Sequence, residues 1–169
     1  LFCMRLRSSG IPFVRAYPGE KLEDFLEGHL KAFEYFGGIP RECWYDNLRS
    51  AVIKVLSGPH RVEHELFSSL RTHYLFDSVF CGVRKGNEKG AVENLVGYVR
   101  RNALVPLKEY PNLETLNEHL LSWCIRERTK KGEKWKEESQ ALKPLPEAPF
   151  SALRITLAKV SSQNLVRYD

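Results

Sequence analysis

The amino-acid sequence predicts an α/β fold, a sheet with helices packed on it. Three features carry that expectation. The chain opens with two short strand-like runs split by turn residues, several later stretches space their apolar residues helically, and short apolar runs lie between those stretches. With 43% hydrophobic residues in 169, there is ample material for a packed core.

The elements follow in order. Leu1 to Arg7 has β-compatible apolar content, Ser8-Ser9-Gly10 is turn chemistry, and Ile11 to Tyr17 is extended again, so the start reads as an antiparallel hairpin. Pro18-Gly19-Glu20 breaks the strand and opens a helix over Lys21 to Phe36. Its apolar residues, Leu22, Phe25, Leu26, His29, Ala32, Phe33 and Phe36, share one face. Glu23, Asp24 and Glu27 sit early, where the helix dipole favours negative charge. Gly37-Gly38 ends the helix and Pro40 prevents its return. On that apolar face, His29 reads as a packed histidine rather than a ligand.

Glu42 to Tyr45 is a short buried-type strand that runs into Asp46-Asn47. Ala51 to Leu56 suits a strand or a helix. Val62 to Leu75 reads as a helix with Leu66, Leu70 and His73 in one stripe, and Ser78 to Cys81 as a further strand. The loop from Gly82 to Lys89 is basic and contains glycine, and a helix follows from about Lys89 to Asn102. Pro106 and Pro111 bound a loop. Leu113 to Arg128 is a helix with Leu116, Leu120, Leu121, Cys124 and Ile125 on one side. Charge and then proline dominate residues 129–150, a linker composition. Leu153 to Tyr168 alternates in the β manner. The expected division is therefore 1–128, 129–150 and 151–169, the last being the start of a second domain. Because the chain begins with Leu1, already in strand-like sequence, it reads as a piece of a longer protein.

The apolar runs are too short to cross a bilayer. The four cysteines, Cys3, Cys43, Cys81 and Cys124, form no C-x-x-C pair, which points to reduced, mostly buried thiols in a reducing cytosol rather than to zinc or disulfides. A net charge of +5 favours a polyanionic partner, though only weakly. The basic residues cluster, from Arg84, Lys85 and Lys89 to Arg100 and Arg101, and again from Arg126 to Lys136. Taken alone, such clusters read as solvated faces.

Two acids stand out by position. Asp46 closes an apolar strand, where α/β sheets place functional groups. Glu93 opens a later helix, after Gly86 and Gly90. If the intervening strand returned beside the first, the two carboxylates would converge. Converging carboxylates hold Mg²⁺, and paired ions serve phosphodiester displacement. Two ions require a third acid, for which Glu88 and Asp77 are unconvincing candidates. Taken one at a time, Asp46-Asn47 reads rather as a turn-forming pair and Glu93 as a plain helix N-terminal glutamate.

Longer stretches carry a resemblance. His29-Leu-Lys-Ala-Phe-Glu-Tyr-Phe-Gly-Gly-Ile-Pro40 with Trp44-Tyr-Asp-Asn-Leu-Arg-Ser-Ala-Val52, followed by Asn87-Glu-Lys-Gly-Ala-Val-Glu-Asn94 with Gly97-Tyr-Val-Arg-Arg-Asn102, resembles the IstA-type transposases of bacterial insertion sequences. These belong with retroviral integrases in the DDE superfamily. The resemblance implies a ribonuclease-H-like mixed sheet whose first strand, with the first catalytic aspartate, lies upstream of Leu1, and a C-terminal β-rich domain. It implies Asp46 and Glu93 as catalytic metal ligands for two Mg²⁺ or Mn²⁺ ions. DNA is implied as partner, both element ends and target, with contacts from Arg100, Arg101, Lys89, Lys85 and Arg84. A homo-oligomer on DNA, a partner ATPase and a cytoplasmic, nucleoid-associated location also follow. The alternative is a catalytically incomplete piece that binds DNA or sibling subunits without cutting.

Overall fold

The computed structural model describes residues 1–45, 52–55, 61–80, 95–106 and 108–151. The mixed α/β class holds: the described residues form six strands, in three two-stranded sheets, and five helices. The opening hairpin forms as expected, with β1 (Phe2–Arg5) antiparallel to β2 (Pro12–Arg15) and Phe2 opposite Arg15.

Helix α1 (Leu22–Phe36) also follows its pattern, burying Phe25, Leu26, His29, Ala32, Phe33 and Phe36. At its start, the Lys21 backbone N–H donates to the Asp24 carboxylate at 3.3 Å. It stops at Gly37, whose φ of 66° is the left-handed conformation that spares glycine the Cβ clash. In mid-helix, Gly28 admits the Phe2 ring of β1. A Cβ there would stand 2.4 Å from that ring.

After α1 come β3 (Glu42–Tyr45), β4 (Val52–Val55), β5 (Arg61–Glu63), α2 (Glu65–Tyr74) and β6 (Asp77–Phe80). The segment left open between strand and helix is a strand, since β4 pairs antiparallel with β5. Residues 62 and 63, expected to be helical, belong to β5. The backbone stays extended through His64, whose ring accepts the Leu66 N–H at 3.3 Å and starts the helix one residue later. The buried face of α2 is Phe67, Leu70 and Tyr74, while Leu66 and His73 are only half-buried. Aromatic contacts with α1 rotate the stripe: Phe67 lies 5.6 Å from Phe25 and Tyr74 5.2 Å from Phe33, ring to ring.

Helix α3 covers 95–102 of the described residues and is followed by α4 (Leu113–Thr129) and α5 (Gly132–Gln140). The face expected for α4 is corrected. Leu120 and Cys124 are buried, but Leu121 and Ile125 are exposed, and Asn117, Trp123 and Glu127 complete the inner side. Part of the expected linker is thus helical, and it packs back on the core. Glu138 accepts the Ser8 and Ser9 backbone N–H groups at 3.0 and 2.7 Å, and Lys143 bridges Ile39 by two 2.9 Å backbone bonds. Trp135 and Leu142 lie against the cluster of Leu6, Ile11, Phe13, Ala32 and Phe36. The stretch 152–169 lies outside the described residues.

The hairpin is a shared wall. Phe2 and Met4 face α1, while Cys3 joins Val14 and Ala16 against α3 and α4. Strand alternation makes that two-sided burial possible. Among the described residues, no helix is long and apolar enough to cross a membrane.

Candidate functional site

Strands β3 and β6 pair in parallel, with Glu42 opposite Asp77 and Tyr45 opposite Phe80. Their carboxyl ends therefore lie side by side, a position where parallel strands present functional groups. The strand near residue 78 returns beside β3, as its place in the sequence allowed, and it begins one residue before its sequence boundary. Asp46 follows Tyr45 directly in the chain. Asp46 and Glu93 both lie outside the described residues, as do Arg84, Lys85 and Lys89.

The strand end is fixed from its buried side. Cys43 and Tyr45 point into the core with α1 and α2, while Glu42 and Trp44 face outward. His29 Nδ1 lies 2.8 Å from the Phe25 carbonyl and Nε2 lies 2.9 Å from the Tyr45 hydroxyl. A carbonyl only accepts, so Nδ1 carries the proton and Nε2 accepts from Tyr45, a tautomer assigned from these partners. Burial pushes the His29 pKa down to about 4, so the ring is neutral at physiological pH. The expectation of a packed histidine is met. On the outer side, the Arg7 guanidinium sits 5.5 Å from the centre of the Trp44 ring, and the indole N–H donates to Glu42 at 3.1 Å.

Helix α3 is held through its apolar face. Leu95, Val99 and Ala103 pack with Val14, Ala16, Leu120, Trp123 and Cys124. Tyr98 donates to buried Glu127 at 3.0 Å, which ties α3 to α4. This leaves Arg100 and Arg101 exposed, as a role on a polyanion requires. Arg100 stands on the hairpin side. Burial pushes the Cys3 thiol up to about 11, an effect partly offset by the chain's amino terminus and by the Arg100 charge. Arg101 folds back toward Gly97 on its own helix.

Cys43 and Cys124 are buried free thiols, pushed up to about 12 by burial, as the scattered cysteines suggested. Sequence reasoning missed the His29–Tyr45 pair and the two polar anchors of α4. A histidine on an apolar face and a tyrosine at a buried strand end each need a partner, which was the available signal.

No family model matches the chain. Curated relatives do, and all those compared are transposases. A transposase of Aminobacter aminovorans is 37% identical over 165 residues, covering 92% of this chain and 32% of that protein. The chain belongs with the transposases. More narrowly, the transposase for insertion sequences IS1326/IS1353 of Pseudomonas aeruginosa is 37% identical over 66% of the chain and 22% of its own length. The transposase for insertion sequence element IS21, also of Pseudomonas aeruginosa, is 30% identical over 88% of the chain and 40% of its own length. By sequence, then, this is an insertion-sequence transposase homologue that spans about a third of the length of such relatives.

Proposed function

We propose that the chain contributes part of the catalytic core of a DDE-class DNA transposase with a ribonuclease-H-like sheet, acting on DNA by end cleavage and strand transfer. The observation that carries this reading is the parallel β3–β6 pairing. It sets the strand that leads to Asp46 beside the strand that leads into the basic loop and the helix after Glu93.

In this reading Asp46 and Glu93 are metal-binding acids that work with a third carboxylate. Carboxylate oxygens are the donors that Mg²⁺ and Mn²⁺ prefer. Such ions, when bound, supply nucleophile activation and leaving-oxygen stabilisation. Arg100 and Arg101, with Lys89, Lys85 and Arg84, neutralise DNA phosphates near the reacting bond. Arg100 falls seven residues after Glu93, two helical turns on, so one helix face would offer both an acid and a phosphate contact.

The test is strand joining with precut element ends in the full-length protein. Asp46→Asn and Glu93→Gln are each expected to abolish joining while DNA affinity stays near wild type. Undiminished joining in either variant would refute the metal-ligand role. Arg100→Ala should weaken DNA binding and reduce the salt slope by about one phosphate contact. An unchanged slope would assign Arg100 to the solvated surface.

A further inference from the structure

A polar contact links α1 and β3 inside a largely aromatic core. The Tyr45 hydroxyl donates to His29 Nε2 at 2.9 Å, and His29 Nδ1–H donates to the Phe25 carbonyl at 2.8 Å. His29 is fully buried, and the rings of Phe2, Phe25, Phe33, Phe67 and Phe76 surround it. The Phe76 ring stacks on the imidazole at 6.1 Å and 7°, while the other four meet it at steep angles.

Stability alone does not account for such a pair. Two apolar side chains of similar volume would fill the same space without desolvating an imidazole and a phenol. Dispersion contacts are non-directional, so they define the angle of a strand against α1 less sharply than a hydrogen bond does. A hydrogen bond between two ring groups, each locked by packing, sets both distance and angle. Tyr45 is the last residue of β3, and one peptide bond separates it from Asp46. A tilt of Tyr45 is thus carried into the next residue's backbone. Cys43, two residues earlier, is buried on the same face of the strand.

We infer that His29 and Tyr45 are positioning residues whose hydrogen bond aims the end of β3, an inference that rests on the reading of Asp46 as a metal-binding acid. The pair touches neither DNA nor metal. It acts through the backbone that leads into Asp46, and it holds that backbone to the most deeply buried part of α1.

The experiment compares Tyr45→Phe, His29→Leu and the double variant in the full-length protein. Tyr45→Phe leaves the imidazole nitrogen buried without a donor, so the thermal midpoint should fall. In the double variant both polar groups are gone, and the midpoint should recover toward wild type. A positioning role predicts that the joining rate at saturating DNA does not recover with it. The rate should fall roughly tenfold to 100-fold in Tyr45→Phe and stay low in the double variant, with DNA affinity unchanged. A rate that returns with the midpoint, or that never falls in Tyr45→Phe, overturns the inference. An ¹⁵N spectrum gives a readout independent of activity: the His29 Nε2 resonance should shift in Tyr45→Phe, and an unmoved resonance overturns the contact itself. Full joining by Asp46→Asn would defeat the underlying reading and the inference with it. Joining lost in Asp46→Asn but intact in the double variant defeats the inference alone.

Discussion

Helices α1 and α4 have similar lengths, 15 and 17 residues, yet they are seated by different means. Helix α1 presents an aromatic face with a single polar group, His29. Helix α4 buries two polar side chains and leaves Leu121 and Ile125 in solvent. Asn117 of α4 clasps the backbone of Ala16, accepting its N–H at 2.7 Å and donating to its carbonyl at 3.0 Å. Further along, Glu127 receives the Tyr98 hydroxyl and pairs with Lys130. Apolar area places α1, whereas α4 is oriented by partners that would be orphaned if it moved. Close packing resists movement in the first case, and polar groups that would lose their partners resist it in the second.

The largest effect should come from the aromatic face. Phe33→Ala is expected to cost about 3–5 kcal/mol, because the Phe33 ring is fully enclosed and its loss leaves a cavity. Urea unfolding measures this, and a loss below about 1 kcal/mol would remove α1 from the centre of the core.

A pH titration sharpens the same contrast through His29. Its folded pKa, about 4, lies below the ordinary value of 6.5. Above pH 6.5 both states are neutral there and the residue adds no pH dependence. As pH falls from 6.5 toward 4, the unfolded chain takes up a proton that the folded chain refuses. Stability is then lost in that window, on the order of 3 kcal/mol in all. The ring faces the Tyr45 hydroxyl and phenylalanine rings, with no carboxylate among the causes of its shift to hold a proton on it. Thermal midpoints of wild type and His29→Leu across that range check the sign, since the variant should lose this component of the slope.

A third effect separates the two faces of α4. Asn117→Ala strands the N–H and the carbonyl of Ala16, at about 1–3 kcal/mol for each group left dry. Leu121→Ala, on the exposed face, should stay within about 0.5 kcal/mol of wild type. Equal losses from the two substitutions would dissolve the distinction between the helices.

The same contrast explains what the sequence could convey. The hairpin and α1 were legible because period-two and helical spacing, closed by Gly37, report burial directly. The inner face of α4 was not, since the partner that makes Asn117 a core residue lies 101 positions away and the one that makes Glu127 a core residue 29 positions away. Strand β5 was hidden because three residues, Arg61–Glu63, are too few to show alternation beside a helix. At the candidate site, the return of β6 beside β3 could be anticipated from element order, but its parallel sense was not read from the sequence. The roles proposed for Asp46 and Glu93 come from resemblance, as local sequence alone favours a turn and a plain helix start. The His29–Tyr45 contact joins residues 16 positions apart on different elements and has no one-dimensional signature.

The path of the chain after α4 bears on where this protein can be cut. A protein ended at Arg128 would strip the Glu138 carboxylate from the Ser8 and Ser9 amides, take Lys143 from the Ile39 backbone and remove Trp135 and Phe150 from their apolar neighbours. Lys143 would also no longer cover the Leu75 carbonyl at the end of α2, nor would His73 keep its contact with the Ala148 carbonyl. Expression boundaries for a minimal folded unit therefore belong after residue 150, because the last turns of the described chain serve as the lid of its first.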